Sequence, residues 1–189
     1  MLLSLLKGRR GLLIPFSVSF ALLIFSSLIG VEWEVSLSVA SFVGGLTIAE
    51  NVARALWEDD AVSRLTLRYG FTGVLLLLSA VISIASLILN VALAFMVAIV
   101  ASAPILAYSL GLLLWVISSS LLCTITSAMG EVAGVSMGFI AAVLQVPLLI
   151  GLYGYLSGGN APTYLGLLVV MGVFYLAFMG VFSDVILEG

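Results

Sequence analysis

The stretch ENVARALWEDDAVSRLTLRY, residues 50–69, holds seven of the fifteen charged residues of the chain: Glu50, Arg54, Glu58, Asp59, Asp60, Arg64 and Arg68. The 189-residue chain around it is 63% hydrophobic and only 8% charged. Water-soluble domains carry about a quarter charged residues, so this composition calls for hydrocarbon as solvent. The charged block therefore interrupts a series of membrane segments. The side of the bilayer it occupies fixes the topology of everything else.

Working outward from the block, apolar runs of near-spanning length alternate with polar breaks. They predict an all-α, polytopic integral membrane protein forming one transmembrane domain over 1–189. Its six spans are expected at about 11–31, 35–55, 70–99, 103–128, 133–156 and 163–184. The third run is longer than one crossing needs. It reads as one tilted helix or as a helix bent near Asn90. Lys7, Arg9 and Arg10 precede the first span, and Arg54, Arg64 and Arg68 follow the second. Both sets share a side only if VEWEVS, with Glu32 and Glu34 and no basic residue, lies opposite. The positive-inside rule then puts both termini in the cytoplasm of an inner (plasma) membrane protein. Trp33, Tyr153, Tyr155 and Tyr164 fit an outer aromatic belt, with Tyr69 on the inner side. The apolar stretch from Gly11 to Gly30 exceeds the roughly 7–15 residues of a signal-peptide core and lacks an A-x-A-like site, so it reads as a retained span.

Composition also excludes chemistry. There is no histidine, the commonest haem and metal ligand. Lys7 is the only lysine and no G-x-x-x-x-G-K-[ST] occurs, so ATP is not bound here by a P-loop. Six basic residues at two sites do not make a nucleic-acid surface. Cys123, the single cysteine, forms no intrachain disulfide and reads as a packing residue.

Within the spans, each polar feature has a packing explanation. Gly130, Gly134 and Gly138, in GEVAGVSMG between the fourth and fifth spans, have the spacing of close helix packing. Glu131 in the same turn reads as interfacial. The hydroxyls of SSSLLCTITS, residues 118–127, can bond back to helical carbonyls. Asn90 and Gln145 are the amides well inside spans and the candidates to face a cargo. Pro147 predicts a kink beside Gln145, with the freed backbone groups satisfied locally.

The block itself admits three readings. Glu58, Asp59 and Asp60 could chelate a divalent cation, but a phosphotransfer site needs further carboxylates at helical spacing, and Glu50 and Glu131 do not supply them. No catalytic residue and no metal ligand are assigned. As a loop after a span, three acids are unexpected at a negative helix C-terminus. As the start of a new helix they fit, since Asp59 or Asp60 can cap free N–H groups. From Asp60 a helix of two or three turns would put Ala61, Val62, Leu65 and Tyr69 on one face. Asp60, Arg64 and Arg68 would follow on another, with Trp57 at the bend. This describes a short amphipathic helix at the cytoplasmic surface.

ARALWEDDAVSRLTL resembles the segment after the second span in the haem exporter B (CcmB) family of ABC-transporter permeases, with Leu56, Trp57, Glu58, Asp59 and Asp60 in the family's order. LLKGRRGLLIPF, the glycine-bearing turn and LQVPLLIGLYGY extend the likeness over most of the chain. Glu58 and Glu131 stand where relatives tend to be basic, and the insert after the aspartates is shortened. The resemblance implies a permease subunit without its own enzymatic activity, driven by ATP on a separate ATPase chain and paired as a homodimer. It implies further membrane partners in cytochrome c maturation, with haem as cargo of the complex. The segment 54–68 (Arg54, Trp57, Glu58, Asp59, Asp60, Arg64, Arg68) would then contact the ATPase. Three alternatives remain open on the residues: an exporter permease for a lipid, glycan or small toxic molecule, an intramembrane metal-dependent transferase, and a structural membrane subunit.

Overall fold

The computed structural model describes residues 9–58, 61–103, 108–133 and 138–188, and side chains over 13–55, 64–103, 108–129 and 140–183. Among them every regular element is an α-helix: α1 (Arg9–Leu28), α2 (Trp33–Glu58), α3 (Ala61–Ala101), α4 (Ser109–Ala133), α5 (Gly138–Leu144), α6 (Val146–Leu156) and α7 (Ala161–Glu188). Four of these, α2, α3, α4 and α7, are long and apolar enough to cross a membrane.

Six spans were expected, and the difference lies in two places. The described apolar part of α1, Leu13–Leu28, is shorter than a full crossing, and the fifth run is split at Gln145 into α5 and α6. Pro147 has no N–H to continue the helical ladder, which is why the chain breaks there. The break is narrow: Gln145 keeps right-handed helical dihedrals (φ −80, ψ −12), and Leu149 N donates to Gln145 O at 2.9 Å. The fourth span starts later than expected, at Ser109 instead of 103, and ends at Met129, beside the expected 128, while its helix continues to Ala133. Gly130 and Glu131 are therefore in the last turn of α4, not in a turn between helices.

α3 does not bend at Asn90. It breaks at Gly70, whose φ of 71 and ψ of 164 lie where only glycine is comfortable. Asn90 causes no bend because its Nδ2 donates to the Ser86 carbonyl one turn back, at 2.8 Å, within an intact helix. The helix after Gly70, residues 71–101, rises about 46 Å at 1.5 Å per residue. That exceeds a hydrocarbon core of about 30 Å and requires tilt or protrusion.

The core forms where small residues let helices approach. On α2, Leu37, Ala40, Ser41, Gly44, Ile48 and Val52 recur at helical spacing and are buried. A Cβ on Gly44 would collide with Leu89 of α3 and Ser19 of α1, so glycine brings three helices together at that level. α1 lies along α2, α2 along α3, and α4 against α3 and α7. α4 is buried on nearly every side from Ser118 to Thr126, as befits a central helix. α7 is the reverse: Val169, Val170, Val173, Phe174 and Val181 are exposed, as are Ile84, Ile88, Phe95 and Ile99 of α3. Apolar faces of this extent are stable only against lipid or another protein.

The two ends of the bundle differ. At one end Trp33, Tyr108 and Tyr155 form a ladder, with ring centroids 5.8 Å and 5.7 Å apart. Tyr155 is thus a buried packing residue and not the belt residue expected of it. A side chain on Gly111 would overlap its ring, so the glycine makes room for it. Tyr164 folds back over Gly154 and Gly159, while Tyr153 remains exposed. At the opposite end Thr72 Oγ1 donates to Ser183 Oγ at 2.7 Å, joining α3 to α7. Arg54, Arg64 and Arg68 lie toward that end.

Candidate functional site

The charged block is divided between the end of α2 and the start of α3. α2 runs through Arg54 to Glu58, so Trp57 and Glu58 are in its last turn rather than at a bend. Arg54 and Glu50 are exposed on α2. The side chains of Trp57 and Glu58, and Asp59 and Asp60 altogether, lie outside the described residues. α3 resumes at Ala61, and the break at Gly70 makes 61–69 a helical segment of its own direction. Leu65 points into the core, while Arg64, Arg68, Leu67 and Tyr69 are exposed. Tyr69 therefore does not share the buried face with Leu65; the Arg68 guanidinium lies 5.2 Å from the centre of its ring instead. Leu67, 91% exposed, is an apolar side chain that the helical pattern did not single out. Among the described residues no three His, Cys, Asp or Glu side chains converge on a metal-sized site.

Four hydroxyls in the middle of α4 are satisfied within the protein. Ser120, Thr124 and Thr126 donate to the carbonyls of Val116, Ser120 and Leu122, one turn back. Ser118 reaches across to Leu168 O of α7 at 3.1 Å. They hold helices and line no polar path. Of the glycines, Gly130 is in α4, Gly138 opens α5, and Gly134 lies outside the described residues.

The two amides differ in setting. Gln145, at the break between α5 and α6, is fully buried, and its Nε2 donates to Cys123 Sγ of α4 at 2.9 Å. The break is also closed from elsewhere: the Tyr175 hydroxyl of α7 donates to Leu144 O at 2.8 Å. The local satisfaction expected at the proline is in part supplied by another helix. Asn90 is 2% exposed yet forms part of the wall of a groove between α3 and α4 of about 470 Å³. Leu87, Val91, Ala94 and Phe95 supply most of the α3 side, with Leu110, Leu112 and Leu113 opposite. Asn90 Oδ1 has no hydrogen-bond partner. A buried acceptor left unsatisfied costs about 1–3 kcal/mol, with no bulk water in a bilayer to relieve it.

Three further unpartnered hydroxyls, Ser19, Ser38 and Ser41, are buried where α1 and α2 meet their neighbours. Reading the chain for span length passed over them. The repeated serines of SLSVAS, followed by Gly44 and Gly45, were the trace of Ser38 and Ser41 in the sequence. No family model, curated protein or solved structure matches this chain.

Proposed function

We propose that this chain is the permease subunit of an ABC exporter, resembling the haem exporter B subunit of cytochrome c maturation, and that residues 54–68 are its contact with a separate ATPase. The observation that carries the reading is the helical segment 61–69, set apart by Gly70 from the long apolar helix after it, with Arg64 and Arg68 turned outward and Leu65 anchored in the core. A short rigid segment fastened to two long helices can pass a push from a cytoplasmic partner into the bundle. A floppy loop cannot.

In this reading α1 and the proline-broken α5–α6 pair supply the two crossings beyond the four long helices. The pair, Gly138–Leu156, would rise about 28 Å. Both termini and the arginine-bearing end face the cytoplasm of the inner membrane, as the positive-inside rule asks. The chain acts as a homodimer; ATP binds the partner subunit and haem is the cargo of the complex. Other membrane subunits of cytochrome c maturation complete the assembly. The same architecture would serve an exporter of a lipid, glycan or small toxic molecule.

Purifying the tagged chain from its native membrane in mild detergent tests this. A P-loop ATPase is expected to co-purify, with cytochrome c maturation proteins if the cargo is haem. Recovery of the chain without any ATPase would refute the permease reading.

A further inference from the structure

We infer that the groove between α3 and α4 is a binding site for a slim, uncharged, apolar molecule carrying a hydroxyl group, which donates a hydrogen bond to Asn90. The groove runs from Leu87 to Ala98 along α3, about 16 Å at 1.5 Å per residue, the proportions of an aliphatic chain. Its volume of about 470 Å³ is within the roughly 300–1,000 Å³ of small-molecule sites. No charged side chain contributes to the wall, and Ser109 at the start of α4 is its one polar member besides Asn90. A charged ligand would therefore be desolvated there without compensation.

Asn90 sets the remaining requirement. One N–H is committed to Ser86 O, and Oδ1 is left as an acceptor without a donor. A bilayer acyl chain fills the groove but offers Oδ1 nothing. A hydroxyl-bearing chain offers the missing donor. Oδ1 is screened by its surroundings, and a modest rotation about the soft terminal torsion of the asparagine side chain turns it toward an entering hydroxyl. Polar side chains buried at membrane depth are where ligands and pathways are expected. The site needs no ATPase, so it stands or falls separately from the permease reading.

The test uses the purified full chain in nanodiscs with two photoreactive probes of equal length: a diazirine-bearing long-chain alcohol and the matching diazirine alkane. The alcohol is expected to label residues 87–98 and 109–113 about fivefold more than the alkane, the ratio given by one neutral hydrogen bond. Asn90→Leu is expected to reduce alcohol labelling to the alkane level. Ala98→Phe, which fills the groove and leaves Asn90 in place, is expected to suppress labelling by both. Equal labelling by alcohol and alkane would overturn the inference, as would an alcohol preference that survives Asn90→Leu. If Asn90→Leu fails to fold, undiminished alcohol labelling in Ala98→Phe would overturn it equally.

Discussion

The Tyr175 hydroxyl donates to the Leu144 carbonyl at 2.8 Å across a separation of 31 residues. A helix break made by Pro147 is thereby closed by a side chain of α7. Tyr175→Phe keeps the ring and removes that donor. Interhelical hydrogen bonds in membranes average about 0.6 kcal/mol with a maximum near 1.7, so a loss of about 1 kcal/mol is expected in reversible SDS unfolding. Gln145→Leu should behave differently. It removes an unpartnered Oε1 and a bond to a weak sulfur acceptor together, and replacing both by apolar volume is expected to cost less than about 0.5 kcal/mol.

Glycine substitutions should have opposite signs according to what surrounds them. A Cβ on Gly111 would run into the Tyr155 ring, whereas at Gly166 and Gly180 of α7 it would meet nothing. Gly111→Ala is expected to destabilise by about 1–3 kcal/mol. Gly166→Ala or Gly180→Ala should stabilise by about 0.5–1 kcal/mol through helix propensity. The same unfolding assay separates them; equal effects would show that the Gly111–Tyr155 approach is not a tight contact.

The bend at Gly70 is also measurable. Spin labels at Leu67 and Ile88, both exposed, lie on either side of it, and a straight helix would separate their backbones by about 32 Å. Gly70→Ala is expected to lengthen the measured distance toward that value, or to cost about 1–3 kcal/mol if the bend is retained. An unchanged distance with unchanged stability would show that the turn does not depend on glycine.

How much of this the residues announced depends on which force was at work. Hydropathy announced the helices, because burial of apolar side chains is a local average that any long run reports. It misplaced the bend in α3. Asn90 looked disruptive but bonds within its own helix, while Gly70, at the edge of the polar block, drew no notice. Tyr155 sits where a belt residue should, yet Gly111, forty-four residues earlier, gives it a slot in the core. Such pairings are tertiary and leave no periodicity. The groove beside Asn90 is of the same kind: its polar member was visible in the sequence, its walls were not.

Cys123 gives a direct probe of α4. It is 2% exposed and meets Gln145, so N-ethylmaleimide should modify it at least tenfold more slowly in the folded protein than after SDS denaturation. Equal rates would place α4 at the surface and contradict its central position.

The proposed grip of the segment 54–68 on an ATPase is open to direct test. The most direct measurement is the amount of ATPase recovered with the tagged chain, wild type against Asp60→Lys, alongside the slow Cys123 modification that reports an intact bundle. The variant is expected to keep Cys123 protected while losing most of the ATPase. A variant that stays folded and recovers ATPase at the wild-type level would contradict it.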